Sequence, residues 1–222
     1  MWGTGHAVLL TAAAWFFLYM VEEYPIHRLN ALHWDRLRSI KPEDVVVRSQ
    51  CSLHDTYAYY EIECLGDIVW VDPLGERFVS PPGEVCELRM ECALAILVYL
   101  IEAKNIPLSG RLVSVKDLKG GEIFFRGPHS FPVAPLEEKF GNDVKGFLAA
   151  GEKCGGSKGT YGDASFQLVA FPRVPIQSVL WRADEDFPAR INFLFDSTIE
   201  QHIPLDVIYG LVSELCFRLM ED

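Results

Sequence analysis

The densest polar constellation in the chain is Trp181-Arg-Ala-Asp-Glu-Asp-Phe-Pro188, in which the carboxylates Asp184 to Asp186 are consecutive. Closely spaced carboxylates can exchange a proton with a substrate or hold a hard cation. Consecutive residues in a turn point in different directions, however. One reading is therefore a solvated hairpin turn whose charges pair with Arg182 and Arg190. The other is a ligand-facing patch of Asp163, Asp184, Arg190 and Asp196, with Trp181 beside it.

A second candidate is Gly151-Glu-Lys-Cys-Gly-Gly-Ser-Lys-Gly-Thr-Tyr-Gly-Asp163, a loop with five glycines. A phosphate loop needs lysine directly after its last glycine, and Ser157 stands after Gly156 instead. Such a loop also runs from strand into helix, so that a helix N-terminus faces the anion. Here a helical pattern precedes and a strand pattern follows. What remains is a mobile connection, or a nest of backbone N–H groups around Gly155 and Gly156 that holds a small ligand. Cys154 is expected to be exposed in this loop. It follows a helix C-terminus, where the dipole disfavours a thiolate. Cys51 and His54 have half of a zinc spacing, and no C-x-x-C occurs anywhere, so no four-ligand metal site is predicted. No G-x-S-x-G elbow is present, and His129 and His202 lie near prolines in loop-like stretches.

The elements that must position these groups follow from periodicity. Residues 26–40 read as a short amphipathic helix ended by Pro42. Strands are predicted at 57–63, 67–71 and 77–79, with a turn at 72–75. Residues 84–105 form the clearest helix, apolar on all sides from Ala93 to Ile101 and hence central and buried. Short strands are expected at 112–115 and 123–125. Residues 135–150 return to helical spacing. Strands follow at 164–171, 176–182 and 190–195, the last with Ile191, Phe193 and Phe195 on one face. A final helix begins near Pro204. Strands joined by short turns predict an α+β fold, an antiparallel sheet with helices packed mainly on one face, in a single domain over 25–222.

Composition narrows the function classes. Of 222 residues, 50% are hydrophobic and the net charge is −11, which supports a large core and argues against nucleic acid as partner. The six cysteines are dispersed and fit buried, reduced thiols in the cytoplasm. Residues 1–24 stand apart. Ala7 to Val21 is fifteen residues, nearly all apolar, short of the roughly 20 of a membrane span and with no preceding Lys or Arg for a secretory signal. The expectation is that the native start is Met20; a membrane anchor at 7–21 is the alternative. Recovery of a native peptide containing Trp15 would rule out the Met20 start.

Four motifs occur together and in order: Ala95-Ile-Leu-Val-Tyr-Leu-Ile-Glu-Ala-Lys-Asn-Ile-Pro-Leu-Ser-Gly110, Gly155-Gly156 through Gly162-Asp-Ala-Ser-Phe166, Trp181-x-x-Asp184-Glu-Asp-Phe187, and Leu194-Phe-Asp196. In them the chain resembles the prokaryotic domain-of-unknown-function family numbered 3786, over most of its length after about Val45. The resemblance implies no particular activity. It implies a cytoplasmic protein of anaerobic bacteria or archaea, near corrinoid or iron–sulfur metabolism. Some family members carry an added four-cysteine iron–sulfur segment, which this sequence lacks. The resulting expectation is a non-catalytic binding or accessory domain, with cofactor unknown and a small molecule or protein as partner. Its candidate binding residues are Gly155, Gly156, Asp163, Trp181, Asp184, Arg190 and Asp196. The alternative is a small-substrate enzyme using Asp163, Asp184 and Asp196.

Overall fold

The computed structural model describes residues 31–221 apart from residues 55, 57, 82 and 87. The apolar segment 7–21, the start at Met20 and the helical reading of 26–30 lie outside the described residues.

Two short helices open the fold, α1 (Ala31–Ser39) and α2 (Pro42–Ser49). Pro42 does more than end the first run. It stands at the beginning of α2, where its missing N–H would have no helical partner anyway and its fixed φ suits the turn. A five-stranded antiparallel meander follows: β1 (Ser52–His54), β2 (Tyr59–Cys64), β3 (Asp67–Asp72), β4 (Arg77–Ser80) and β5 (Glu84–Val85). The predicted 72–75 turn is present, closed by the Asp72 carboxylate, which accepts from the N–H groups of Leu74 and Gly75.

The central helix α3 runs Met90–Glu102, six residues later in its start than the apolar pattern predicts. The Gly83 N–H donates to the Ser80 carbonyl, and Glu84 and Val85 pair back onto Ser80 and Val79 before the helix can begin. From Ala95 to Ile101 every residue of α3 is buried. Around it pack α1, α2 and the C-terminal helix α7 (Leu205–Met220).

The second sheet contains β6 (Leu112–Val113), β7 (Ser157–Lys158), β8 (Ala164–Phe171), β9 (Val174–Trp181) and β10 (Arg190–Asp196), in the order β6-β10-β9-β8-β7 and antiparallel throughout. Its core face carries Phe166, Leu168, Ile176, Leu180, Ile191, Phe193 and Phe195, all buried. The α+β architecture is as expected; the strands divide between two sheets rather than one. The sheets touch where the Leu65 N–H donates to the Ala170 carbonyl at 3.2 Å.

Two predicted elements differ. Residues 123–125 are not a strand: α4 (Gly121–Phe124) is a single helical turn. Gly120 has φ +78°, and a Cβ on Gly121 would run into the Val115 carbonyl. This close backbone approach fixes a compact turn and leaves Ile123 in solvent, overriding the β-propensity of Ile-Phe-Phe. Residues 135–150 form two helices, α5 (Ala134–Phe140) and α6 (Val144–Lys153). Asp143 breaks the run by capping α6, its carboxylate accepting from the Gly146 N–H at 2.8 Å.

Arg173, in the β8–β9 turn, ties remote segments together. Its guanidinium donates to the carbonyls of Val47, Arg48 and Ile106 and to the Asn105 side chain, and its N–H donates to the Tyr99 hydroxyl. Tyr99 donates in turn to the Ser49 carbonyl and stacks on Phe171 at 4.4 Å.

Candidate functional site

The glycine-rich segment is a packing device. Gly155 has φ +78° and lies against Gly66 of the β2–β3 turn: a Cβ on Gly155 would come 3.2 Å from the Gly66 Cα, and one on Gly66 2.7 Å from the Cys154 carbonyl. A Cβ on Gly156 would come 2.7 Å from the Gly151 carbonyl and 2.9 Å from the Phe166 ring. Farther on, the loop folds over the outer face of the second sheet. There Gly159 sits over Ser165 and Gln177, and Gly162 over Val179. The Tyr161 N–H donates to the Ser165 hydroxyl, and the Asp163 N–H to the Leu180 carbonyl. Cys154 is buried rather than exposed, because β7 and the Gly66 turn close over the end of α6. Burial pushes its thiol above the ordinary range.

The remaining candidates separate into two groups. Asp163, Trp181, Asp184 and Arg190 share one end of the second sheet. Arg190 is the cross-strand neighbour of Trp181, and Asp163 accepts from the Arg182 N–H at 2.8 Å. Asp184 accepts from the N–H groups of Asp186 and Phe187, which shapes the 182–189 loop. Asp196 lies at the opposite end of β10. Six residues of extended chain separate it from Arg190, about 20 Å at the usual strand rise. The three carboxylates named for an enzyme therefore do not converge.

Asp196 is instead an internal anchor. It accepts from the N–H and hydroxyl of Ser109, the N–H of Gly110, and the N–H and hydroxyl of Thr198. Burial opposes its charge, but the Thr198 and Ser109 donors outweigh burial and hold the carboxyl at about 2.

His202 is fully buried. Its Nδ1 accepts from the Lys104 N–H at 3.3 Å, and its Nε2 has no hydrogen-bond partner among the described residues. Burial first, then the Arg173 charge, lower the imidazole to about 4. Since 4 is below the ordinary 6.5, the unfolded chain takes up this proton first. His202 contributes fully above about pH 6.5, and its contribution is lost as pH falls toward 4. His202→Asn keeps an acceptor for Lys104 without titrating. Urea unfolding across this range is expected to show a flatter acid limb for the variant, by on the order of 2 kcal/mol. Equal slopes for both proteins would refute the assignment.

Sequence reasoning did not find a cluster where β2, β3, α3 and α7 meet. Glu214 of α7, only 4% exposed, is clasped by Arg89 at 2.5 and 2.7 Å and by Arg218 at 2.7 Å. Arg218 also reaches the Leu65 carbonyl and Asp67, while Arg89 lies over the Phe217 ring at 3.5 Å. Burial raises the Glu214 carboxyl, and the two arginines more than reverse it, leaving it below the ordinary value. Beside this network the Cys64 and Cys92 sulfurs are 3.4 Å apart. The available signal was Glu214 and Arg218 at helical i, i+4 spacing amid apolar residues. Their partners lie 125 residues and more away in sequence. Among the described residues no three His, Cys, Asp or Glu side chains are placed to share one metal ion, and no helix is long and apolar enough to cross a membrane.

The family model for a domain of unknown function (DUF3786) matches residues 41–218. The chain belongs to this family. Within its boundaries lie both sheets, the Trp181 end of the second sheet and the Glu214 network. No curated protein and no solved structure matches the chain.

Proposed function

We propose that this member of the family is a non-catalytic binding or accessory domain, and that it binds through the Trp181 end of the second sheet. One observation carries the reading. Tyr161, Trp181 and Phe187 are 48%, 51% and 64% exposed on segments joined by the Asp163–Arg182 and Asp184–Phe187 hydrogen bonds. Large aromatics left in water forfeit burial that a partner can supply, and Trp and Tyr are favoured anchors at interfaces. Exposed Glu185 and Asp186 stand in the same loop, on a chain of net charge −11. The chemistry that complements this surface is a lysine- or arginine-rich protein segment, its cations meeting both aromatic faces and carboxylates. Asp163 and Asp184 shape the loop through backbone hydrogen bonds, and Arg190 stands beside Trp181 as its cross-strand neighbour. A cytoplasmic location and a setting near anaerobic corrinoid or iron–sulfur metabolism belong to the same proposal.

The test is titration with an oligolysine peptide, and separately with a corrinoid, read by tryptophan emission. The peptide is expected to bind saturably and more weakly in high salt. Trp181→Ala should weaken it at least tenfold while changing unfolding free energy by no more than about 0.5 kcal/mol, as for other surface positions. Peptide affinity unaltered in the variant, or saturation by the corrinoid alone, would overturn the assignment of this surface.

A further inference from the structure

We propose that Cys64 and Cys92 form a reversible disulfide within the folded domain, with a low-molecular-weight disulfide as the oxidant. Cys64 ends β2 and Cys92 stands in the first turn of α3. Both are buried, with sulfurs 3.4 Å apart. A disulfide bond is about 2.05 Å long, so the sulfurs need to approach by roughly 1.4 Å. No third ligand completes a metal site among the described residues, which leaves the chemistry of two thiols.

The surroundings set how this pair reacts. Arg218 is the cation that favours a thiolate at Cys64. Contact with Cys92 and then burial oppose it and hold the Cys64 thiol well above the ordinary range. The resting state is therefore the dithiol, and oxidation is slow. Cys86, half-buried and directly after β5, is the more accessible thiol nearby. Access to Cys92 requires opening of the first turn of α3, which the Arg89–Glu214 ion pair holds.

The reaction runs in two exchanges. The Cys92 thiolate attacks one sulfur of the small disulfide, forming a mixed disulfide and releasing one small thiol. The Cys64 thiolate then attacks the Cys92 sulfur, forming the internal bond and releasing the second. Two electrons pass to the oxidant, and the two protons leave on the released thiols.

The test uses the full chain, folded, with oxidised glutathione, followed by alkylation and tryptic mapping. Cleavage at Arg48, Arg77, Arg89 and Lys104 separates residues 49–77 from 90–104. The expected product is these two peptides cross-linked, with fragmentation placing the bond at Cys64 rather than Cys51, lost on treatment with dithiothreitol. Cys64→Ser and Cys92→Ser should each abolish it, and Cys216→Ser should not. If either serine variant fails to fold, the wild-type map still decides. Six alkylatable thiols after oxidation, a bond joining another pair, or a glutathione adduct on Cys86 alone would overturn the proposal.

Discussion

Glu214→Ala is expected to cost about 3 kcal/mol or more in urea unfolding, the largest single-site loss of charge we foresee in this protein. The carboxylate is nearly inaccessible, and both its oxygens are bonded to guanidinium groups. Its removal takes away the buried carboxylate that stands between Arg89 and Arg218, and breaking a buried pair from one side is far costlier than never having built it. Arg218 retains Asp67 and the Leu65 carbonyl, and Arg89 is about one-third exposed. Both can relax partly toward solvent, which keeps the expected loss near the lower end. The double variant Glu214→Met, Arg218→Met should recover part of the single variant's loss. A double variant as unstable as the sum of the two singles would show that the three charges do not act together.

Asp196→Ala is expected to destabilise the fold by about 3 kcal/mol while leaving peptide binding at the Trp181 end intact in the protein that remains folded. Five donors from three residues converge on this carboxylate. Hydrogen bonds to a charged group contribute about 1.5–3 kcal/mol, and donors left unpaired in a buried place add their desolvation cost. Loops 109–110 and 197–198 expose some of these donors to water, so the contributions do not sum. Loss of binding at unchanged stability would instead place Asp196 in a ligand site.

Much of the architecture can be read in the residue pattern. The alternation in β10 identifies its core face, because Ile191, Phe193 and Phe195 must all leave water together. The all-round apolar stretch of α3 likewise leaves no surface position open to it. What local pattern cannot supply is the outcome of tertiary competition. Residues 84–105 read as one helix, yet Glu84 pairs back onto Ser80 at the end of β4. Residues 123–125 read as a strand, whereas the close approach of Gly121 to the Val115 carbonyl selects a helical turn. The candidate site divides in the same way. Trp181, Arg190 and Asp184 are brought together by a hairpin, a short-range feature that adjacent strands announce. Asp196 resembles them chemically, but strand length alone removes it to the far end of β10. The glycines of 151–162 were visible as a group. Their purpose depends on Gly66, Phe166 and Val179, which local sequence cannot name. Arg89 and Glu214 meet only because α3 and α7 pack side by side.

Arg173 has a consequence for the order in which the chain acquires its structure. Its partners are separated from it by 67 to 126 residues. A loop of 67 residues or more must close before any of these bonds can form. Each such closure loses chain entropy before its reward arrives, so contacts of this range slow folding more than they limit stability. The β8–β9 hairpin can assemble early from neighbouring residues, but its guanidinium then waits for α2 and the end of α3. Until they arrive, a cation stands bare at the tip of an otherwise uncharged hairpin. That charge discourages the hairpin from associating with another chain's exposed strands while the rest of the protein is still being gathered.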